Sequence, residues 1–232
     1  SRPTLVQSKC LPLALSSGRD LLVRARTGSG KTLAYCLPLL QKLLQRTSNK
    51  EDGVGAVILV PTRELCAQVH QVLQQLSYYC DDIITIAVLS VGTTSGTSKC
   101  NPEELLRQEA MLRDRPNVLV ATPTALLNQI RNKKTLDLKS METLVVDEAD
   151  LVLSFGHSEA LSEIVQSLPR IYQGMLLSAT LSPELDSLKK VVLHSPVVLK
   201  LEHEQEGKSW KAGHLKQFFV ALPKKDKNLL IY

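Results

Sequence analysis

Short apolar runs recur along this chain, and a polar cluster followed by a segment of helical period comes after most of them. The runs lie at 20–23, 56–60, 83–89, 118–120, 143–146, 175–177 and 197–201. The run Ala56-Val57-Ile58-Leu59-Val60 has no polar alternation, which marks a strand covered on both faces. Helical patterns fall between the runs, from 33 to 44, 61 to 79, 103 to 113, 125 to 131, just after 150, and 184 to 193. Strands alternating with helices leave few solutions. The expected fold is α/β, a parallel sheet with helices on both faces, and no internal repeat suggests an array.

Composition narrows the class further. With 232 residues and 44 % hydrophobic content the chain can bury a substantial core. No stretch approaches the ~20 apolar residues needed to cross a bilayer, so no membrane partner is expected. Cys10, Cys36, Cys66, Cys80 and Cys100 are scattered without a CxxC pair and read as reduced thiols, not as a disulfide framework or zinc site. A formal charge of +5 permits a nucleic-acid partner without demanding one. The polar stretch 202–213 reads as a linker, 218–222 as a short strand, and Lys224-Lys225-Asp226-Lys227 as a junction. The chain is therefore expected to stop in mid-protein, and its start at Ser1 to follow a missing segment.

Between the run at 20–23 and the helix that follows lies Ala25-Arg26-Thr27-Gly28-Ser29-Gly30-Lys31-Thr32. A glycine-rich turn at a helix N-terminus aims several backbone N–H groups at one point, where the helix dipole adds positive charge. Phosphate oxygens fit that point. Gly28 and Gly30 keep side chains out of the way, Lys31 supplies an ammonium for the β- and γ-phosphates, and the Thr32 hydroxyl can sit on Mg²⁺. Ala25 stands where such loops usually begin with Gly. A solvated Gly/Ser turn would carry similar letters. Pro38, inside the following helix, is expected to kink or open it.

The polar clusters gather at the C-terminal ends of the strands, where an open parallel sheet binds ligands. Asp147 and Glu148, ending the run at 143–146, should face the same crevice as Lys31 and Thr32. Asp147 is then the Mg²⁺-holding acid and Glu148 the general base for an attacking water. Adjacent acids at a helix start are also ordinary capping chemistry. Their pairing with a phosphate loop favours catalysis.

Taken in order, Gln7, Ala25 to Thr32, Pro61 to Leu65, Thr122-Pro123, Asp147-Glu148-Ala149-Asp150 and Ser178-Ala179-Thr180 resemble the N-terminal RecA-like domain of DEAD-box RNA helicases. The resemblance spans nearly the whole chain. Ser154-Phe155-Gly156 and the stretch from Leu168 to Gln173 are most similar to the nucleolar subgroup of DEAD-box helicase 56, which serves large-ribosomal-subunit assembly. Residues 1–205 are then an ATP-binding domain, and 206–232 a linker and the start of a second RecA-like domain. The resemblance implies ATP with Mg²⁺, Gln7 on the adenine edge, and Ser178, Ala179, Thr180 and Asp150 coupling the nucleotide to RNA. It also implies RNA-backbone contacts through Pro61, Thr62, Arg63, Glu64, Gly92, Thr122 and Pro123, with Arg63 as the direct phosphate partner. A nuclear, nucleolar location and pre-ribosomal protein partners follow from it as well.

The arginine fingers of the family come from the second domain, so residues 1–232 alone should bind nucleotide and hydrolyse almost none. Four positions depart from the family pattern. Ala125 replaces an arginine, Cys66 an alanine and His157 an aromatic, and Gly92 lacks its usual glycine neighbour. The loss at Ala125 is expected to remove one RNA phosphate contact. A nucleotide-dependent RNA clamp or assembly adaptor without useful turnover is the alternative function. A metabolic kinase would leave Pro61 to Leu65, Thr122-Pro123 and Ser178 to Thr180 without a role.

Overall fold

The computed structural model describes residues 2–47, 53–80, 82–90, 102–132, 136–180 and 182–201. The expected strand at 218–222, the linker and the boundary near 205 lie outside them, as does Gly92. Seven strands form one fully parallel sheet in the order β3-β4-β2-β5-β6-β1-β7. They are β1 Leu21–Arg24, β2 Ala56–Leu59, β3 Ile86–Leu89, β4 Val118–Ala121, β5 Thr143–Val146, β6 Gln173–Ser178 and β7 Val197–Lys200. Every residue of β2, β4, β5 and β6 is buried.

Successive residues of each strand point to opposite faces, and two hydrophobic clusters result. On one face Leu21, Val23, Ile58, Val120 and Val145 pack with α1 (Leu5–Pro12), α2 (Lys31–Thr47) and α3 (Arg63–Leu76). On the other, Leu22, Leu59, Leu119, Leu144 and Leu176 pack with α5 (Pro123–Asn132), α6 (Ala149–Ser154), α7 (Ser158–Gln166) and α8 (Pro183–Val192). The twelve-residue α4 (Pro102–Arg113) adds Leu112 to this second cluster. The chain leaves β1 toward the first face and β5 toward the second, so a crevice opens at their C-terminal ends. The phosphate loop and the acidic cluster both lie there.

Several local features differ from the sequence expectation. The first helix starts at Leu5, where Thr4 and Gln7 form a capping box. Pro12 has no N–H to continue the helix, and the chain passes into a π-helical turn, Leu13–Ser17, that ends at Gly18 with φ 59°. The helix after the acidic cluster breaks in two at Gly156, which has φ 78°. Helix α2 instead runs through Pro38 for 17 residues. Its buried side includes Ala34, Tyr35, Cys36, Leu39, Leu40 and Leu43, whereas Leu37 is 39 % exposed. Asp20, expected in β1, precedes it. Its buried carboxylate accepts the N–H groups of Gly174 (2.7 Å) and His194, tying the start of β6 and the turn before β7 to β1.

The thiols follow this packing. Cys10, Cys36 and Cys66 are buried and free, and Cys80 is partly exposed. Burial pushes the Cys10 thiol up to about 11 and Cys66 up to about 12, and Cys36 higher still. Iodoacetamide at pH 8 is therefore expected to alkylate Cys80 in the folded chain and to spare Cys10, Cys36 and Cys66 until denaturant is added. Peptide mass spectrometry checks this, and modification of Cys66 before unfolding would contradict it.

Candidate functional site

Lys31 opens α2 with its ammonium buried, only 5 % exposed. It donates to the Ala25 carbonyl at 3.0 Å and lies 3.2 Å from Glu148 Oε1. A buried ammonium is retained only with partners, and here they are the first residue of its own loop and an acid from β5. The loop is anchored at its start, where the Ala25 N–H donates to the Ser178 carbonyl at 3.0 Å. Ala25 lies outside the left-handed region, which explains why glycine is unnecessary there. Gly28 and Gly30 do need to be glycine. Their φ values are 76° and 90°, and a Cβ on Gly30 would stand 2.6 Å from Gln7 Nε2. Around Gly28 there is open space, so only its conformation demands glycine.

The loop spends one of its donors internally, since the Ser29 N–H donates to Arg26 O at 3.3 Å. The Ser29 hydroxyl oxygen is buried and finds no hydrogen-bond partner among the described residues. Arg26 and Thr27 are exposed at the turn, and Thr32 is half-buried in the first turn of α2. The N–H groups of that first turn have no acceptor within the helix.

Asp147 leaves β5 nearly buried, at 6 % exposure. Its Oδ1 accepts the Glu148 N–H at 2.9 Å and its Oδ2 accepts the Tyr35 hydroxyl at 3.0 Å. Burial and the neighbouring Glu148 charge push its carboxyl up to about 6, against the Tyr35 hydrogen bond and the Lys31 charge. Glu148 takes a left-handed backbone, φ 48° and ψ 50°, a rare conformation for a residue with a Cβ. That turn places its carboxylate on Lys31 while Ala149 starts the next helix.

Gln7 is brought to the same loop from α1. Its Oε1 accepts the Thr4 N–H at 3.0 Å and its Nε2 donates to Gly30 O at 3.3 Å. These bonds use one acceptor site and one of two amide hydrogens. One acceptor and one donor remain on the half-buried side chain, the pair that an adenine edge requires.

At the end of β6, Ser178 is fully buried, and its hydroxyl accepts the Thr180 N–H at 3.3 Å. Thr180 Oγ1 donates to Asp150 Oδ2 at 2.9 Å, and the Thr180 N–H reaches the same oxygen at 3.2 Å. Ala179 bridges the two. The bond toward the acidic cluster is thus made by Thr180, not by Ser178.

The residues expected to touch RNA divide into two groups. Arg63 and Glu64 are exposed in the first turn of α3, and Thr62 caps it, accepting the Leu65 N–H at 3.3 Å. Pro61, Thr122 and Pro123 are buried, and the Thr122 N–H is taken by Leu89 O at 3.1 Å. They shape the ends of β2 and β4 and offer little surface. Ala125 is 1 % exposed and packs in the core. Two contacts were not foreseen. Tyr35 reaches Asp147, and Thr124 Oγ1 lies 3.3 Å from His157 Nδ1. Tyr35 stands one helical turn beyond Lys31, a spacing visible in the sequence, but its partner across the sheet was not.

The DEAD/DEAH box helicase family model matches residues 4–188. The probable ATP-dependent RNA helicase ddx56 of Dictyostelium discoideum is 44 % identical over 99 % of this chain and 32 % of its own length. The ATP-dependent RNA helicase dbp9 of Schizosaccharomyces pombe is 40 % identical over 100 % of this chain and 36 % of its own. The chain thus spans about a third of the length of these relatives. Among solved structures, a DEAD box protein of Methanococcus jannaschii superposes with a TM-score of 0.72 at 30 % identity, covering 85 % of this chain and 49 % of that one. With that likeness, the seven-stranded parallel sheet is a RecA-like domain. From residue 4 to residue 188, the chain belongs to the DEAD/DEAH box helicase family.

Proposed function

We propose that this chain is the ATP-binding half of an RNA-dependent ATPase that locally separates RNA duplexes. One observation carries the reading: the buried Lys31 ammonium at the start of α2 meets Glu148 at 3.2 Å, with Asp147 beside it. A cation and two acids from distant strands converge where a helix N-terminus favours phosphate. The Ser29 hydroxyl, without a partner among the described residues, and the strongly buried Asp147 carboxylate are consistent with Mg·ATP. Thr32 and Asp147 would hold Mg²⁺, which when bound neutralises charge on the phosphate oxygens. Lys31 would trade Ala25 O for phosphate oxygens, and Glu148 would accept the proton of the attacking water at its carboxylate. The remaining Gln7 valences suit adenine.

Arg63 and the N-terminus of α3 offer an exposed cationic edge for RNA phosphates, which would be read without base sequence. The Thr180–Asp150 bond would link the end of β6 to the acidic cluster. The relatives at 40–44 % identity are named ATP-dependent RNA helicases, which supports the same activity for the whole protein. The subgroup resemblance around Ser154-Phe155-Gly156 supports a nucleolar role in large-subunit assembly beside pre-ribosomal proteins. Failure of the tagged protein to co-sediment with large-subunit precursors would remove that part.

The test is ATP hydrolysis by the full-length protein with and without single-stranded RNA, with GTP as competitor. RNA-stimulated, ATP-selective turnover is expected, while residues 1–232 alone bind nucleotide and hydrolyse almost none. Nucleotide-dependent RNA binding without turnover in the full-length protein would replace the enzyme with a clamp.

A further inference from the structure

Tyr35 is 1 % exposed and stands on α2 three residues beyond Thr32 and four beyond Lys31. Helical spacing puts it one turn below both, on the side that faces the sheet. Its hydroxyl donates to Asp147 Oδ2 at 3.0 Å. Asp147 comes from a different part of the sheet. It ends β5, and β6 separates β5 from β1, the strand that leads into the loop. The phenol therefore spans from the phosphate-loop helix to the acidic strand end.

The consequence for Asp147 is geometric. One carboxylate oxygen accepts the Glu148 N–H and the other accepts the Tyr35 hydroxyl, so rotation of the carboxylate breaks at least one bond. Each oxygen keeps a further lone pair. A phenylalanine would fill the same volume with no polar atom to satisfy, so packing alone does not require tyrosine here.

We infer that Tyr35 is a positioning residue for the metal site, holding the Asp147 carboxylate against the helix that carries Thr32 so that a divalent cation meets both. It touches neither nucleotide nor attacking water. This inference rests on the reading of Asp147 and Thr32 as metal-holding groups. Outer partners of metal ligands typically change metal affinity by about 10–100-fold.

The experiment compares full-length wild type, Tyr35→Phe and Asp147→Asn. Mn²⁺ binding in the presence of ADP is followed by electron paramagnetic resonance, ADP binding is measured in EDTA, and thermal unfolding is recorded for each protein. Tyr35→Phe is expected to weaken Mn²⁺ binding about tenfold while ADP binding in EDTA stays at the wild-type level. The Mg²⁺ concentration for half-maximal hydrolysis should rise in parallel, with kcat recovered at saturating Mg²⁺. Wild-type Mn²⁺ binding by Tyr35→Phe, with Asp147→Asn impaired, overturns the inference and leaves the metal reading intact. Equal loss of ADP binding in EDTA also overturns it, because the phenol would then support the loop and not the metal. Unimpaired Mn²⁺ binding by Asp147→Asn sinks the metal reading itself. If Tyr35→Phe unfolds early, the same titrations are made below its unfolding transition, where wild-type Mn²⁺ affinity would equally overturn the inference.

Discussion

In the full-length protein, Glu148→Gln is expected to cut RNA-stimulated ATP turnover about 10²–10⁴-fold, the span that one general base contributes. The substitution preserves shape, and an amide oxygen can still accept from Lys31 across the 3.2 Å now bridged by the carboxylate. The left-handed turn at φ 48° is no harder for Gln than for Glu, so the backbone that aims the side chain should persist. Only the capacity to take a proton is lost. ATP binding should therefore stay near wild type, and the effect should fall on kcat with KM little changed. Equal kcat in the variant would mean that Glu148 serves only as the partner of Lys31.

Lys31→Met should weaken ATP binding about 100-fold, as expected for removing one or two hydrogen bonds from a charged donor at about 1.5–3 kcal/mol each. Met keeps the stem's packing in the buried pocket and removes the ammonium alone. The loop should survive this change. Its anchor, the Ala25 N–H on Ser178 O, and the Gln7 bond to Gly30 O are both independent of Lys31. Nucleotide titration and thermal unfolding distinguish the outcomes. Unchanged affinity would return Lys31 to a purely structural ion pair with Glu148, whereas a collapse in stability would show that the cation holds the crevice together.

What could be read along the chain was whatever depends on neighbours in sequence. Unbroken apolar runs such as 56–60 and 143–146 announce strands buried on both sides, because parallel sheets are covered by their own crossover helices. A Gly-rich turn between strand and helix announces a phosphate cradle because donors and dipole are both local. The strand ends alone indicate that Lys31 and Glu148 share one crevice. Boundaries were less legible: β3 starts at Ile86, not at 83, and α3 stops at Leu76, not at 79. The start of the first helix at Leu5 is marked in the sequence by a Thr-x-x-Gln capping box at Thr4.

The tertiary structure decided what depends on which strands lie side by side. Chain order does not reveal that β6 sits between β5 and β1, so nothing local indicated that Tyr35 would reach Asp147. The burial of Ala125 likewise comes from α5 packing on the sheet. Gln7 acquires its bond to Gly30 through the packing of α1 on α2. Residue types and their spacing along the chain set the chemistry available at each strand end. The parallel order of the strands set which of those chemistries meet, because contacts across a sheet are made by position in space and not in sequence.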